Sequence, residues 1–298
     1  MVRSLVLSPL KRMGFWGYQQ FLTGIVYPSI WIAAAIASLA GFAQLMMGLA
    51  LDWRPIALVF ATALVPYNLD RLLDAYWQPV PQLQAYFRNN GGILGLLLVA
   101  VAGSAYLLVA APPAVRYASC AGIVPLLYGV PLLPLSSQNG RQWYRLKDIP
   151  GSKAWIVCST LTYATVGLPL AYAGAHFDEA ATLTALFLFA FIACNSHAFD
   201  IRDLDADGAS GVTTLPCLAG VRGTKLILSA LYGLVLLALL WGWRHGAIDC
   251  QIEVLLATAC SWAYLWAVDR RTPRWVYDIA IDGVLFVPAL AAAVVRAA

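Results

Sequence analysis

Along most of the chain, apolar residues form long unbroken runs, without the three-to-four-residue rhythm of a helix half-exposed to water or the alternation of a strand. The runs fall at about 26–49, 53–70, 92–112, 114–134, 154–174, 180–200, 224–243, 251–268 and 276–296. Each approaches the roughly 20 residues that an α-helix needs to cross the hydrocarbon of a bilayer. The pattern predicts an all-α, polytopic membrane protein of about nine transmembrane helices, one domain over residues 1–298 with no linker or low-complexity segment. The first run follows Arg3, Lys11 and Arg12, as a signal peptide would, but it is long and no small-residue cleavage site closes it, so a retained helix is expected.

Composition agrees. Hydrophobic residues make up 61% of the 298 and charged residues 11%, against roughly 25% charged in a soluble domain. Charge also gives an orientation. With a cytoplasmic N-terminus, nine helices leave only Arg54, Arg116, Arg244 and Arg296 outside, and the other fifteen of nineteen basic residues lie on the inner side, as the positive-inside rule requires. The net charge of +4 therefore reports topology and a basic inner face and by itself says nothing about nucleic acid; the lipid bilayer, and no nucleic acid, is the expected partner. Six scattered cysteines form no CxxC or other metal-ligand spacing and read as reduced packing residues.

The polar exceptions cluster. The second run ends in Asn68-Leu69-Asp70-Arg71-Leu72-Leu73-Asp74, and the sixth in Asp200-Ile201-Arg202-Asp203-Leu204-Asp205-Ala206-Asp207; both belong to the inner side. Asp70 and Asp74 are four apart, as are Asp203 and Asp207, so on helical backbone each pair shares a face, with Asp200 three residues back. Like charges so spaced at a helix C-terminus repel each other and oppose the dipole, and so call for a cation. Asp70 to Asp203 and Asp74 to Asp207 are both 133 residues apart, with four helices between, which predicts two four-helix pseudo-repeats followed by a ninth helix. Facing carboxylates inside a ring of Lys and Arg suit a hard divalent cation, Mg²⁺, that bridges to a phosphorylated ligand.

These residues resemble the UbiA superfamily of intramembrane prenyltransferases. Asp200-x-x-Asp203-x-x-x-Asp207-x-x-x-Gly211-x-x-Thr214-Leu215-Pro216 is similar to that family's second aspartate motif with its Gly and Thr-Leu-Pro tail, and Asp70-Arg71-x-x-Asp74 to the end of its first. Pro66 and Tyr67 stand where the first motif would begin, its asparagine is displaced to Asn68, and the Arg-Pro-Leu-x-x-Gly stretch that often follows is missing. Of the Tyr-x-x-x-Lys element Tyr128 is present, but Leu132 occupies the lysine position, so one of Arg141, Arg145, Lys147 and Lys153 is expected to substitute.

The resemblance implies a Mg²⁺-dependent enzyme that ionises an isoprenyl diphosphate and transfers the prenyl group to a lipophilic or aromatic acceptor. Asp70, Asp74, Asp200, Asp203 and Asp207 are the expected metal ligands; Arg71, Arg145, Lys147, Lys153 and Arg202 the diphosphate contacts; and Asn68, Tyr67 and Tyr128 substrate contacts. Asp205 faces away on helical geometry. Tyr67, Tyr128, Tyr163 and Phe199 are candidate faces for the carbocation, with packing as the alternative for each. Asn195, Ser196 and His197 lie one turn inside the second cluster, near where an acceptor proton would be lost. Asp278 and Asp282 form a further four-residue pair in the ninth run, either functional or paired with a loop cation. Two other readings stay open: a membrane terpene cyclase that uses the same ionisation without an acceptor, and a transporter or lipid-binding protein, whose charged groups would more usually sit near the bilayer midplane.

Overall fold

The computed structural model describes residues 17–77, 92–124, 131–137, 140–145, 149–209, 211–249 and 252–297, and the side chains of all of these except 70, 71, 73–77, 131–137 and 140–145. The architecture is an α-helical bundle. Its helices are α1 (Gly17–Val26), α2 (Ile30–Met46), α3 (Trp53–Trp77), α4 (Gly92–Ala110), α5 (Pro113–Ser119), α6 (Ser152–Ala173), α7 (Glu179–Ala209), α8 (Leu215–Arg244), α9 (Ile252–Ala267), α10 (Val276–Val284) and α11 (Val287–Ala297).

Four of these, α4, α6, α7 and α8, are each long and apolar enough to cross a membrane, and the bent pairs α1–α2 and α10–α11 qualify as two more. Helix α4 is apolar all round, yet Leu94, Leu98, Val99 and Tyr106 point outward with 65% or more of their surface exposed. Such a helix needs lipid as its solvent, and the protein is a multi-pass membrane protein. Helix α7 is the opposite case, with Phe187, Leu188, Phe191, Ile192 and Ile201 fully enclosed. It forms the axis of the bundle, in contact with α2, α6, α8, α9 and α10.

Several runs depart from simple spans. The run 26–49 is broken at Pro28-Ser29, where Ser29 takes a left-handed conformation (φ 60°) and the helix bends by 63°. Proline has no N–H to give the helix. The side chain of Asn68 meets the break, its Nδ2 donating to the carbonyls of Pro28 and Leu64, both at 2.9 Å. The run 276–296 is bent by 42° between α10 and α11. There the Trp31 indole from α2 donates to the Ile279 carbonyl at 3.1 Å and packs on Phe286, and a Cβ on Gly283 would lie 3.3 Å from its ring. Of the expected helix at 114–134, the described residues show α5, a short 3₁₀ turn at Cys120–Gly122 and helical backbone at 123–124, whereas Pro131–Ser137 is a strand (β1) paired antiparallel with Gly140–Arg145 (β2). Pro131 and Pro134 cannot continue a helical ladder.

Polar side chains buried in the bundle tie backbone ends together. Gln44 accepts from the Asp52 N–H at 2.6 Å and donates to the Asp52 carbonyl at 3.1 Å, closing the α2–α3 turn. Arg54 hydrogen-bonds the Asp52 carboxylate and holds it below the usual carboxylate range. Lys225 donates to the Trp266 and Val268 carbonyls at 3.1 and 2.7 Å, covering the C-terminal end of α9. Replacing Gln44 with leucine strips both backbone partners from Asp52, and the thermal midpoint in detergent should fall with a loss of about 2 kcal/mol, since unpaired buried polar groups cost ~1–3 kcal/mol; an unchanged midpoint contradicts the clamp.

Candidate functional site

Helix α7 does not stop at the edge of its apolar run but continues to Ala209, so the second aspartate cluster stands on helix and not in a loop. Asp200, Asp203 and Asp207 line one face, while Asp205 points outward, 83% exposed, towards Arg270 at 3.4 Å. Asp200 and Asp207 are two turns apart and both buried. One cation serves them: the Lys153 ammonium lies 3.1 and 3.3 Å from the Asp207 oxygens and 3.7 Å from Asp200 Oδ1. Of the four cations expected to stand in for the lysine of the Tyr-x-x-x-Lys element, Lys153 is thus the one the described residues place on this cluster.

Asp203 belongs to a second ion group. Arg202 grips it with two parallel bonds, Nε at 2.7 Å and Nη2 at 2.6 Å, and donates through Nη1 to Asp278 at 3.0 Å. Its guanidinium lies over the rings of Phe199 and Tyr277, at 4.6 and 5.7 Å from their centroids. Asp278 receives Arg274 as well, at 3.6 Å. Arg202 therefore joins α7 to α10, and the Phe199 face is taken up by arginine. Tyr163 is also turned outward, its hydroxyl donating to the Ala118 carbonyl at 3.2 Å.

The tail of the motif positions Lys153. Gly211 ends α7 in the left-handed region (φ 74°), with the Val212 N–H returning to the Asp207 carbonyl at 2.9 Å. Thr214, extended, precedes α8, and Pro216 sits in its first turn where a missing N–H costs nothing. Between them the Thr213 carbonyl accepts from the Gly151 N–H at 2.6 Å. Gly151 is the N-cap of α6 with φ 73°, and a Cβ there would meet Leu218 at 3.3 Å. The Gly-x-x-Thr-Leu-Pro string is thus a helix stop, a docking strand and a helix start, and it fixes the helix whose second residue is Lys153.

Helix α3 likewise runs on to Trp77, so Asp70 and Asp74 lie on continuous helical backbone four residues apart, not beyond its end. Their side chains and that of Arg71 lie outside the described residues. Helices α2 and α6 each pack on both α3 and α7, and so link the two aspartate-bearing helices. Asn68 is buried with its Oδ1 unpaired among the described residues, and Tyr67 is half-buried against the core. Arg145 lies in β2, described by its backbone alone, and Tyr128 and Lys147 fall outside the described residues.

Among the described residues no three His, Cys, Asp or Glu side chains converge to hold a metal. The chemistry of the donors still fits a hard divalent ion. Two buried carboxylates already share one cationic point, the Lys153 ammonium, and Mg²⁺ usually takes only one or two carboxylates and completes its shell with water and phosphate oxygens. Asp278 as partner of Arg202, and the Gly151–Thr213 link, were not apparent in the sequence, because both join residues more than sixty positions apart. Gly174 at the far end of α6 is left-handed too (φ 62°), but a Cβ there meets nothing within 4 Å. Alanine at either glycine should cost about 1–2 kcal/mol for the left-handed backbone, and Gly151→Ala should cost more than Gly174→Ala because of Leu218; equal losses in thermal unfolding contradict the tight seat of α6.

No protein-family model and no curated protein matches the sequence. Solved structures do. A UbiA homologue from Aeropyrum pernix K1 superposes with a TM-score of 0.66 at 12% identity over 89% of this chain and 98% of its own. A UbiA homologue from Archaeoglobus fulgidus bound to GPP and Mg²⁺ gives 0.60 at 13% identity over 94% and 100%, and a UbiA homologue from that organism bound to DMAPP and Mg²⁺ gives 0.58 at 13% over 93% and 99%. At these identities the likeness is one of fold, and it extends over nearly the whole chain: the protein shares the fold of these UbiA homologues.

Proposed function

We propose that the protein, as one transmembrane domain over residues 1–298, is a Mg²⁺-dependent prenyltransferase that ionises an isoprenyl diphosphate and passes the prenyl group to a lipophilic or aromatic acceptor. The observation that carries this is the Lys153 ammonium shared by Asp200 and Asp207 at the end of the central helix. The fold around it is shared with proteins solved with GPP or DMAPP and Mg²⁺. Asp200, Asp203 and Asp207, together with Asp70 and Asp74, would hold the metal. Lys153 and Arg202 would meet the diphosphate, with Arg71, Arg145 and Lys147 as further cations, and Tyr67, Asn68 and Tyr128 would line the substrate.

When bound, Mg²⁺ supplies Lewis-acid neutralisation of the charge that builds on a departing diphosphate. The chain's own residues do the rest. Lys153, carried on a docked helix, presents a positioned cation where that charge develops. Arg202 is held between Asp203 and Asp278, with all three guanidinium nitrogens on their carboxylate oxygens, and would contribute its positive charge to the site from that fixed position. Apolar side chains enclosing α7 keep water from the carbocation. The basic excess puts the N-terminus and the aspartate-bearing helix ends on the cytoplasmic side.

The test is incubation of the purified protein with C10, C15 and C20 prenyl diphosphates. Diphosphate release should require Mg²⁺, stop on chelation, and fall by about 100-fold or more in Asp203→Ala and in Asp70→Ala, the scale expected when charge stabilisation is removed from a transition state. Release that is unchanged in both variants contradicts the proposal. Cyclic hydrocarbons formed without acceptor would assign the same ionisation to a terpene cyclase.

A further inference from the structure

One polar side chain beside the acidic face belongs to neither ion group. His197 precedes Asp200 by three residues on α7, and its ring is fully buried. Its Nδ1 lies 2.9 Å from the Ala193 carbonyl oxygen. A carbonyl can only accept, so the ring proton is on Nδ1 and Nε2 keeps its lone pair. Among the described residues Nε2 has no hydrogen-bond partner. Such an unpaired acceptor is costly to bury, yet the ring is held firmly: Trp155 packs on it with 4.5 Å between centroids and itself stacks on Phe189 at 5.7 Å.

The placement matches the ion layer. Lys153 and Trp155 are two residues apart on α6, and Asp200 and His197 three apart on α7. The same helix pair that brings Lys153 to Asp200 therefore brings Trp155 to His197, about 4.5 Å deeper along the helix axis. His197 thus lies one helical turn below the layer proposed to hold the diphosphate, against the Trp155 ring and away from water.

We propose that His197 is the proton acceptor for the carbocation, an inference that rests on the prenyl-diphosphate reading above. Ionisation breaks the C1–O bond, and its electron pair leaves with the diphosphate. In transfer, the acceptor X–H forms a new C–X bond to C1 and its proton moves to Nε2. Without an acceptor, the cation loses a proton from carbon to Nε2, and the C–H bonding pair becomes the double bond of an alkene. Either way imidazole becomes imidazolium, and the proton returns to water as the products leave.

Wild type, His197→Gln and His197→Ala are incubated with C10, C15 and C20 diphosphates and Mg²⁺, with diphosphate release and organic products measured separately. Release should stay within about threefold of wild type, whereas products of proton loss should fall by about 100-fold, the usual contribution of a positioned base. Prenyl alcohol from capture of water should replace them, and added imidazole should restore proton loss in His197→Ala but not in His197→Gln. Unchanged products, or release falling in step with them and no rescue, overturns the proposal. Independently of any variant, the ¹⁵N spectrum of the His197 ring should show Nδ1 protonated and Nε2 bare; the opposite tautomer also overturns it. A wild type that releases no diphosphate from any of the three fails at the first step, and sinks the enzyme reading and this one together.

Discussion

Three carboxylates on one face of the last three turns of a helix repel one another and oppose its dipole, so α7 can end as it does only with cations held against it. Lys153 answers Asp200 and Asp207, and Arg202 answers Asp203 while reaching Asp278. Each cation also fastens a neighbour: Lys153 brings the start of α6 onto α7, and Arg202 ties α7 to α10. Buried ion pairs lose much of their attraction to desolvation, and their clearest effect is to fix which groups meet. Here they fix the geometry of the end of the bundle where α7 stops.

The rest of the site follows from that constraint. Because α6 must deliver Lys153, its N-terminus is seated by Gly151 against the Thr213 carbonyl, in a left-handed turn that glycine adopts without strain. Because α6 and α7 are then locked in register, Trp155 closes over His197 one layer deeper. The ion layer and the apolar layer beneath it are two levels of one helix contact.

Much of the fold was legible because hydropathy reports the solvent of a segment. The runs that became α4, α6 and α9 match their helices to within a few residues. Hydropathy is silent on where helices end, since charged residues form helix as readily in water, and so α3 and α7 run on to Trp77 and Ala209, past the edges of their runs. It is equally blind to breaks: 26–49 reads as continuous although Pro28 and Ser29 split it, and 114–134 reads as one span although it passes into β1 at Pro131. In the site, the spacing of Asp200, Asp203 and Asp207 was plain from the sequence. Their partners were not. Lys153 was one of four candidate cations, and nothing local marks Asp278, 76 residues from Arg202, as its second carboxylate.

We propose that this acidic face, with its shared cation, receives a metal-bound prenyl diphosphate. Calorimetric titration of the detergent-solubilised protein with a non-ionisable prenyl thiodiphosphate tests it most directly. Binding should be saturable with Mg²⁺, lost with chelator, and weakened at least about tenfold in both Asp207→Asn and Lys153→Met, since each removes a charge worth ~1.4 kcal/mol or more to a dry site. Equal binding with and without Mg²⁺, or full affinity in both variants, would contradict the account.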